Sequence, residues 1–159
     1  MQSYGNGGKY MSKFGLRKLG FGILLFGMAV CCYTASPVKA AETDVPIDNK
    51  TFPDATFLKY VGRFDKSGDG RLSESERNAV KEIVVNFDSL NSQTKITSLA
   101  GIEYFPNLTV LECEKNSLTG LDVTKNKKLQ ELNCDKNNLQ SLDVSQNTEL
   151  IKLQCRYNQ

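Results

Sequence analysis

The sequence has no histidine and no tryptophan among its 159 residues, and only four prolines. Without histidine there is no imidazole base, no Ser–His or Cys–His pair and no imidazole metal ligand, so most common hydrolase chemistry is excluded. Neither sign of charge dominates: 20 Lys and Arg stand against 18 Asp and Glu, a net charge of +2. A strongly basic surface built for a polyanion is therefore lacking, and nucleic acid is not expected as a partner. Long hydrophobic runs are lacking too. The longest uncharged stretch is Leu19–Val38, and its apolar heart, Phe21–Tyr33, is short for a bilayer span.

The near-neutral total hides an uneven chain. Residues 1–40 hold five basic residues (Lys9, Lys13, Arg17, Lys18, Lys39) and no acid, whereas residues 41–159 hold 15 basic and 18 acidic ones. A basic start, an apolar heart and Val38-Lys39-Ala40 before Ala41 read as a secretory signal peptide over residues 1–40. After cleavage no transmembrane span is expected; an uncleaved signal anchor is the alternative. The segment Phe14-Gly15-Leu16-Arg17-Lys18-Leu19-Gly20-Phe21-Gly22 resembles the YSIRK-type signal of Gram-positive surface proteins, although the later Ser of that motif is missing. Lipidation at Cys31 or Cys32 is disfavoured, because Val30 or Cys31 would precede the modified residue.

The strongest signal is a repeat of 21 residues. Leu108/Leu129/Leu150, Leu111/Leu132/Leu153, Cys113/Cys134/Cys155 and Asn116/Asn137/Asn158 keep that step, as do Leu118/Leu139, Leu121/Leu142, Val123/Val144 and Asn126/Asn147. The unit L-x-x-L-x-C-x-x-N-x-L-x-x-L-D-V is a leucine-rich repeat with Cys in one Leu place. Leu111 and Cys113 alternate inward on a short strand while Glu112 points out. Asn116, Asn137 and Asn158 stand where the chain leaves the strand and can satisfy backbone groups the turn leaves unpaired. Leu121-Asp122-Val123 and Leu142-Asp143-Val144 suggest a second extended stretch on the outer side. The three cysteines share one column. They read as free buried thiols, with a disulfide as the alternative for a secreted chain.

Five segments are expected: the signal peptide (1–40), a polar linker (41–51), a helical cap (52–85), a degenerate capping coil (86–107) and the repeats (108–159). The fold class is an α/β solenoid. It is a short leucine-rich-repeat array with parallel strands on the concave face and little helix in the repeats, behind a small helical EF-hand-like cap. Ile83 and Val85 suggest a first strand. The pattern stops mid-repeat at Gln159, which reads as a truncated fragment whose open last coil frays or self-associates.

One segment carries ion chemistry. Asp65-Lys66-Ser67-Gly68-Asp69-Gly70-Arg71-Leu72-Ser73-Glu74-Ser75-Glu76 fits the EF-hand calcium loop, with ligands from Asp65, Ser67, Asp69, the Arg71 carbonyl, Ser73 and Glu76. Phe57, Tyr60, Val61 and Phe64 give the entering helix one apolar face, Asp54 caps it, and the exiting helix carries Ala79, Val80 and Ile83 inward. Arg77 stands where an apolar residue is usual. Three carboxylates imply weak binding, on the order of 10⁻⁵ to 10⁻³ M, and a structural calcium. An ion-free Asp/Gly-rich turn is the alternative.

The succession of Phe52-Pro53-Asp54, a helix, the calcium-like loop, Gly101-Ile102-Glu103-Tyr104-Phe105 and the repeats resembles bacterial secreted leucine-rich-repeat proteins, internalin-like in layout. The resemblance implies a secreted, extracellular protein on a Gram-positive cell surface that binds a host or cell-wall protein or glycan. The candidate contacts form four concave columns: Val110, Glu131, Lys152; Glu112, Asn133, Gln154; Glu114, Asp135, Arg156; and Lys115, Lys136, Tyr157. A spacer or stalk of a larger adhesin, with no ligand of its own, is the competing reading. No nucleophile–base pair, paired-carboxylate pocket or cofactor loop occurs, so an enzyme is not expected.

Overall fold

The computed structural model describes residues 43–90 and 93–159. The signal sequence expected over residues 1–40 lies outside them. Among the described residues no helix is long and apolar enough to cross a membrane.

Asp54 starts the first helix. Its Oδ1 accepts the N–H groups of Thr56 and Phe57, two of the donors that a helix start leaves unpaired. The helix α1 (Ala55–Val61) buries Phe57 and Val61 completely. It ends before Phe64, so the apolar stripe outlasts the helix. Phe64 nevertheless packs edge-on against Tyr60 and Phe105. Ser73 and Glu76 form a reciprocal capping box at the start of α2 (Glu74–Ala79). The expected inward face of α2 is corrected here. The helix stops at Ala79, Val80 is extended, and Ile83 lies in a strand, since the β-branched run Val80, Ile83, Val84, Val85 favours extended backbone.

The expected linker over 41–51 is also corrected. Val45–Pro46 (β1) pairs antiparallel with Arg71–Leu72 (β2), and Val45 is buried. A two-residue edge strand tolerates Pro46, which has no N–H to donate. The Ile47 N–H donates to the Gly70 carbonyl, and Asp48 closes a turn by accepting from Lys50 and Thr51.

Four parallel strands form the main sheet in the order β3 (Glu82–Val84), β4 (Val110–Glu112), β5 (Glu131–Asn133) and β6 (Lys152–Gln154). Ile83, Leu111, Leu132 and Leu153 stand in one register. The sheet thus begins inside the segment expected to be helical cap, with the strand suggested by Ile83 and Val85. The first coil, from Ile83 to Leu111, takes 28 positions instead of 21 and absorbs the extra length in 3₁₀ turns at Phe87–Ser89 and Ile102–Tyr104. Gly101 fits there because it holds φ = 101° and a Cβ would overlap the ring of fully buried Phe52. No strand forms at Leu121–Val123 or Leu142–Val144, although Val123 is fully buried.

An asparagine ladder joins the coils. Asn137 Nδ2 donates to the carbonyls of Cys113 (2.9 Å) and Cys134 (3.1 Å), and its Oδ1 accepts from the Leu118 N–H (3.1 Å). Asn116 repeats this one coil earlier, with Val85, Cys113 and Ile96. Asn158 repeats it one coil later, with Cys134, Cys155 and Leu139. Each amide thus closes its own corner and ties it to the preceding coil. The residue before each Asn is left-handed and not glycine: φ is 61° at Lys115, 56° at Lys136 and 57° at Tyr157. Such a corner costs of order 1 kcal/mol and persists because the ladder over-determines it. Asn137→Ala leaves a buried N–H and strand-end carbonyls unpaired and is expected to cost about 2–4 kcal/mol in chemical unfolding. Asn158→Ala, in the more exposed last coil, should cost less than half as much. Equal losses at the two positions would contradict the ladder.

Candidate functional site

The concave face is built by alternation. In β3, β4 and β5 the central Ile or Leu is buried and its neighbours are less so, whereas Leu153 at the centre of β6 is exposed. The expected columns Val110–Glu131–Lys152 and Glu112–Asn133–Gln154 are direct strand partners. Glu112, Glu131, Asn133 and Gln154 are half-buried, while Lys152, Arg156 and Tyr157 are exposed.

Most charges on this face are matched within the sheet. Lys136 Nζ lies 3.0 Å from Glu114 Oε1, Lys152 Nζ 3.1 Å from Glu131 Oε2, and Lys115 pairs with Asp88. Hydrogen bonding to Lys136 holds the Glu114 carboxyl below its ordinary pKa, and Asp88 raises the Lys115 ammonium. Glu112 accepts from the Asn86 amide. The pairing rule breaks at the last coil. Tyr157 stands where Lys115 and Lys136 stood, so Asp135 has a Tyr in place of the expected cation and instead accepts the Arg156 N–H. Tyr157 is 74% exposed, with Lys136 Nζ 5.9 Å from its ring centre. A cleft of about 750 Å³ lies elsewhere, lined by Leu99, Ile102, Leu121, Asp122 and Asp143. Glu112, Glu131, Asn133, Lys152 and Gln154 line only a small hollow on the solvent-facing sheet, a shape suited to a broad macromolecular contact and not to an enclosed small molecule.

The cysteine column splits. Cys113 and Cys134 are fully buried free thiols, and burial pushes both up, Cys134 to about 12. Such thiols are inert at neutral pH. Cys155, expected to be buried like the others, is exposed. In the earlier coils the burying surface is supplied by the following coil, and among the described residues none lies beside β6.

The acidic loop brings Asp65, Ser67, Asp69, Arg71, Ser73 and Glu76 around one turn, and Gly68 and Gly70 take φ values of 73° and 76°. Its donors are all oxygens, the right kind for calcium. Asp65 accepts from the Gly68 and Gly70 N–H groups and the Ser67 hydroxyl. Glu76 Oε1 accepts from the Lys66 and Ser67 N–H groups (2.7 and 3.0 Å), and Oε2 accepts from Ser73. Asp69 accepts from the Arg71 N–H. Among the described residues no group of three carboxylates or thiols converges as a metal cluster. As arranged, the loop's carboxylates accept from its own N–H and hydroxyl donors.

Those donors stabilise the ionised carboxylates. Hydrogen bonds from Ser73, then from Ser67 and Lys66, pull the Glu76 carboxyl from 4.5 down to about 2. The Gly70 N–H is the largest cause of the lowered Asp65 pKa. A group whose folded pKa is depressed stabilises the fold above its unfolded pKa and ceases to do so as pH falls through the folded value. In chelator, the melting-temperature gap between the parent chain and Glu76→Ala should therefore be constant above about pH 5 and shrink between pH 4.5 and 2. A gap independent of pH would contradict an ionised Glu76 clasp.

Comparisons with known proteins agree with this architecture. No family model matches the chain, and a search of curated proteins finds no match. Among solved structures, the functional domain of InlJ from Listeria monocytogenes, which includes a cysteine ladder, superposes with a TM-score of 0.62 at 33% identity. The match covers 76% of this chain and 25% of that one. The internalin InlF from the same species gives a TM-score of 0.62 at 24% identity, covering 76% and 34%. Internalin C2 gives 0.58 at 22%, covering 70% and 48%. The chain spans from about a quarter to about half the length of these structures. It has the leucine-rich-repeat fold of the internalins, with the parallel-strand sheet and cysteine column described above.

Proposed function

We propose that the chain is a secreted or surface-displayed leucine-rich-repeat module whose concave sheet binds a protein. The observation that carries the reading is the solvent-facing sheet, which displays stacked side-chain columns in register on an internalin-like fold. The contact centres on the last two strands, where the lateral ion pairing gives way to exposed Arg156 and Tyr157, residue types that dominate binding hot spots. Asn133 and Gln154 supply uncharged hydrogen-bonding groups beside them. Secretion rests on the basic, then apolar, N-terminal sequence. A cell-wall or host glycan is the competing ligand, and a stalk without a ligand the competing role.

The test immobilises the chain and presents intact and protease-treated host-cell and cell-wall surface fractions. Replacement of Gln154, Arg156 and Tyr157 by Ala, all at solvent-accessible positions, is expected to reduce retention tenfold or more, with binding lost on protease treatment. Protease-resistant binding would move the ligand to glycan. Retention of nothing, or of material indifferent to the three substitutions, would support the stalk.

For the acidic loop we propose calcium as an ion that displaces the N–H groups of Lys66 and Ser67 from Glu76. The support is the loop's residue spacing, its oxygen-only donors and the left-handed Gly68 and Gly70. Millimolar calcium is expected to raise the melting temperature of the parent chain relative to chelator, with no such rise in Glu76→Gln. An unchanged melting temperature, or an equal rise in the variant, would leave the loop ion-free.

A further inference from the structure

Two arginines of the cap reach beyond their own elements and meet on one strand. Arg71 Nη2 donates to the Asp44 carbonyl, and Arg77 Nη2 donates to the Thr43 carbonyl at 3.1 Å. Arg71 lies in β2, inside the acidic loop. Arg77 lies in α2, at the place where the calcium-loop pattern has an apolar residue. Among the described residues neither guanidinium is paired with a carboxylate. The ladder beneath these grips fixes how the loop backbone is turned. Val45 stands opposite Leu72, Pro46 opposite Arg71, and the Ile47 N–H donates to the Gly70 carbonyl at 3.0 Å. Antiparallel pairs alternate between hydrogen-bonded and non-hydrogen-bonded, so Pro46–Arg71 is a non-hydrogen-bonded pair and Pro46 loses nothing by lacking an N–H. The peptide groups of Arg71 therefore face away from β1, into the loop. Its N–H donates there to Asp69 Oδ1 at 2.9 Å. Its carbonyl, one of the expected calcium ligands, faces the same way. Val45 and Leu72 are both buried in the core, which seats the pairing on an apolar floor.

We propose that residues 43–47 are a strap that sets the acidic loop, with Arg71 and Arg77 as the positioning residues that hold it down. The strap keeps β2 extended with the Arg71 peptide turned toward Asp69. With the strap seated, the backbone ligand of the loop is already in place when an ion arrives. With the strap released, the ion has to order β2 itself, and that ordering is taken from the affinity. The effect on calcium rests on the ion reading given above, whereas the effect on the loop backbone does not. The segment that reads as a linker in sequence is thus part of the site. Arg77, a departure from the calcium-loop pattern, is what ties the strap to α2.

Amide hydrogen exchange and calcium titration of the full chain test this, with Arg71→Gln and Arg77→Gln combined. In chelator the Ile47 and Arg71 N–H groups are expected to exchange roughly tenfold faster than in the parent. The amides of β4 and β5 are expected to keep their rates, which separates a freed strap from a general loss of stability. In titration calorimetry the calcium dissociation constant is expected to rise roughly tenfold. Arg71→Lys combined with Arg77→Lys keeps a cationic donor for each carbonyl and is expected to recover most of both effects. Val45→Ser leaves both arginines in place, loosens the strap from its buried side and is expected to act in the same direction as the Gln pair. Unchanged exchange of Ile47 and Arg71 in the Gln pair and in Val45→Ser would overturn the strap, whatever the ion does. So would calcium bound equally tightly by the parent and by both variants. A parent chain that takes up no calcium, with exchange responding as expected, would remove the ion reading and leave the strap standing.

Discussion

A strand that turns out of a parallel sheet leaves carbonyls unpaired, and one asparagine amide per coil resolves this. It donates to the carbonyl just past its own strand and to the one just past the strand before, and accepts an N–H from the preceding coil's return path. The left-handed corners at Lys115, Lys136 and Tyr157 are held by this arrangement, although none is glycine. Because each amide needs two coils, no coil satisfies its backbone alone. Stability is thus shared between neighbours, as in other solenoids. A second amide column works on the outer side. Asn126 Nδ2 donates to the carbonyls of Ile102 and Phe105, and Asn147 Nδ2 to those of Val123 and Asn126.

The same dependence shows at the front of the sheet and at β6. At the front the cap provides the first coil with a partner surface. Phe52 packs against Phe57 and Tyr104, Phe64 packs against Phe105, and Asp54 Oδ2 accepts from Thr97 while its Oδ1 caps α1. The acidic loop sits between the two helices of that cap, so whatever closes it, hydrogen bonds or an ion, acts on the start of the solenoid. Among the described residues no coil lies alongside β6, and Leu153, Cys155 and Ile151 are exposed. Between the ends, strict register aligns like positions into columns, which turns a structural requirement into a display surface.

The period of 21 made the strands, their register and the inward Leu and Cys columns legible, because only an unbroken repeat keeps such positions in line. The role of Asn116, Asn137 and Asn158 followed from their place after the strand. Asn126 and Asn147 keep the same period, but nothing in their residue type distinguished a coil-bridging amide from a surface one. The first coil was harder, since 28 positions break the period and the extra length folds into 3₁₀ turns that carry no repeat. Val45–Pro46 looked like a linker because polar neighbours and a proline mask a two-residue edge strand. Cys155 matches Cys113 and Cys134 in sequence and differs in exposure because no described coil lies beside it. For the acidic loop the spacing identified the oxygen donors, but spacing does not say whether a carboxylate turns toward an ion or toward the loop's own N–H groups.

Native-state hydrogen exchange at the amides that the ladder engages tests the central claim most directly. The Ile96 and Leu118 N–H groups lie outside regular strands, yet each is bonded to a buried asparagine Oδ1 at 2.9 and 3.1 Å. If the ladder holds the coils, both exchange as slowly as the amides of β4 and β5, while the Leu139 N–H, bonded to Asn158 in the last coil, exchanges faster. Exchange of Ile96 and Leu118 at the rate of exposed loop amides would contradict the account.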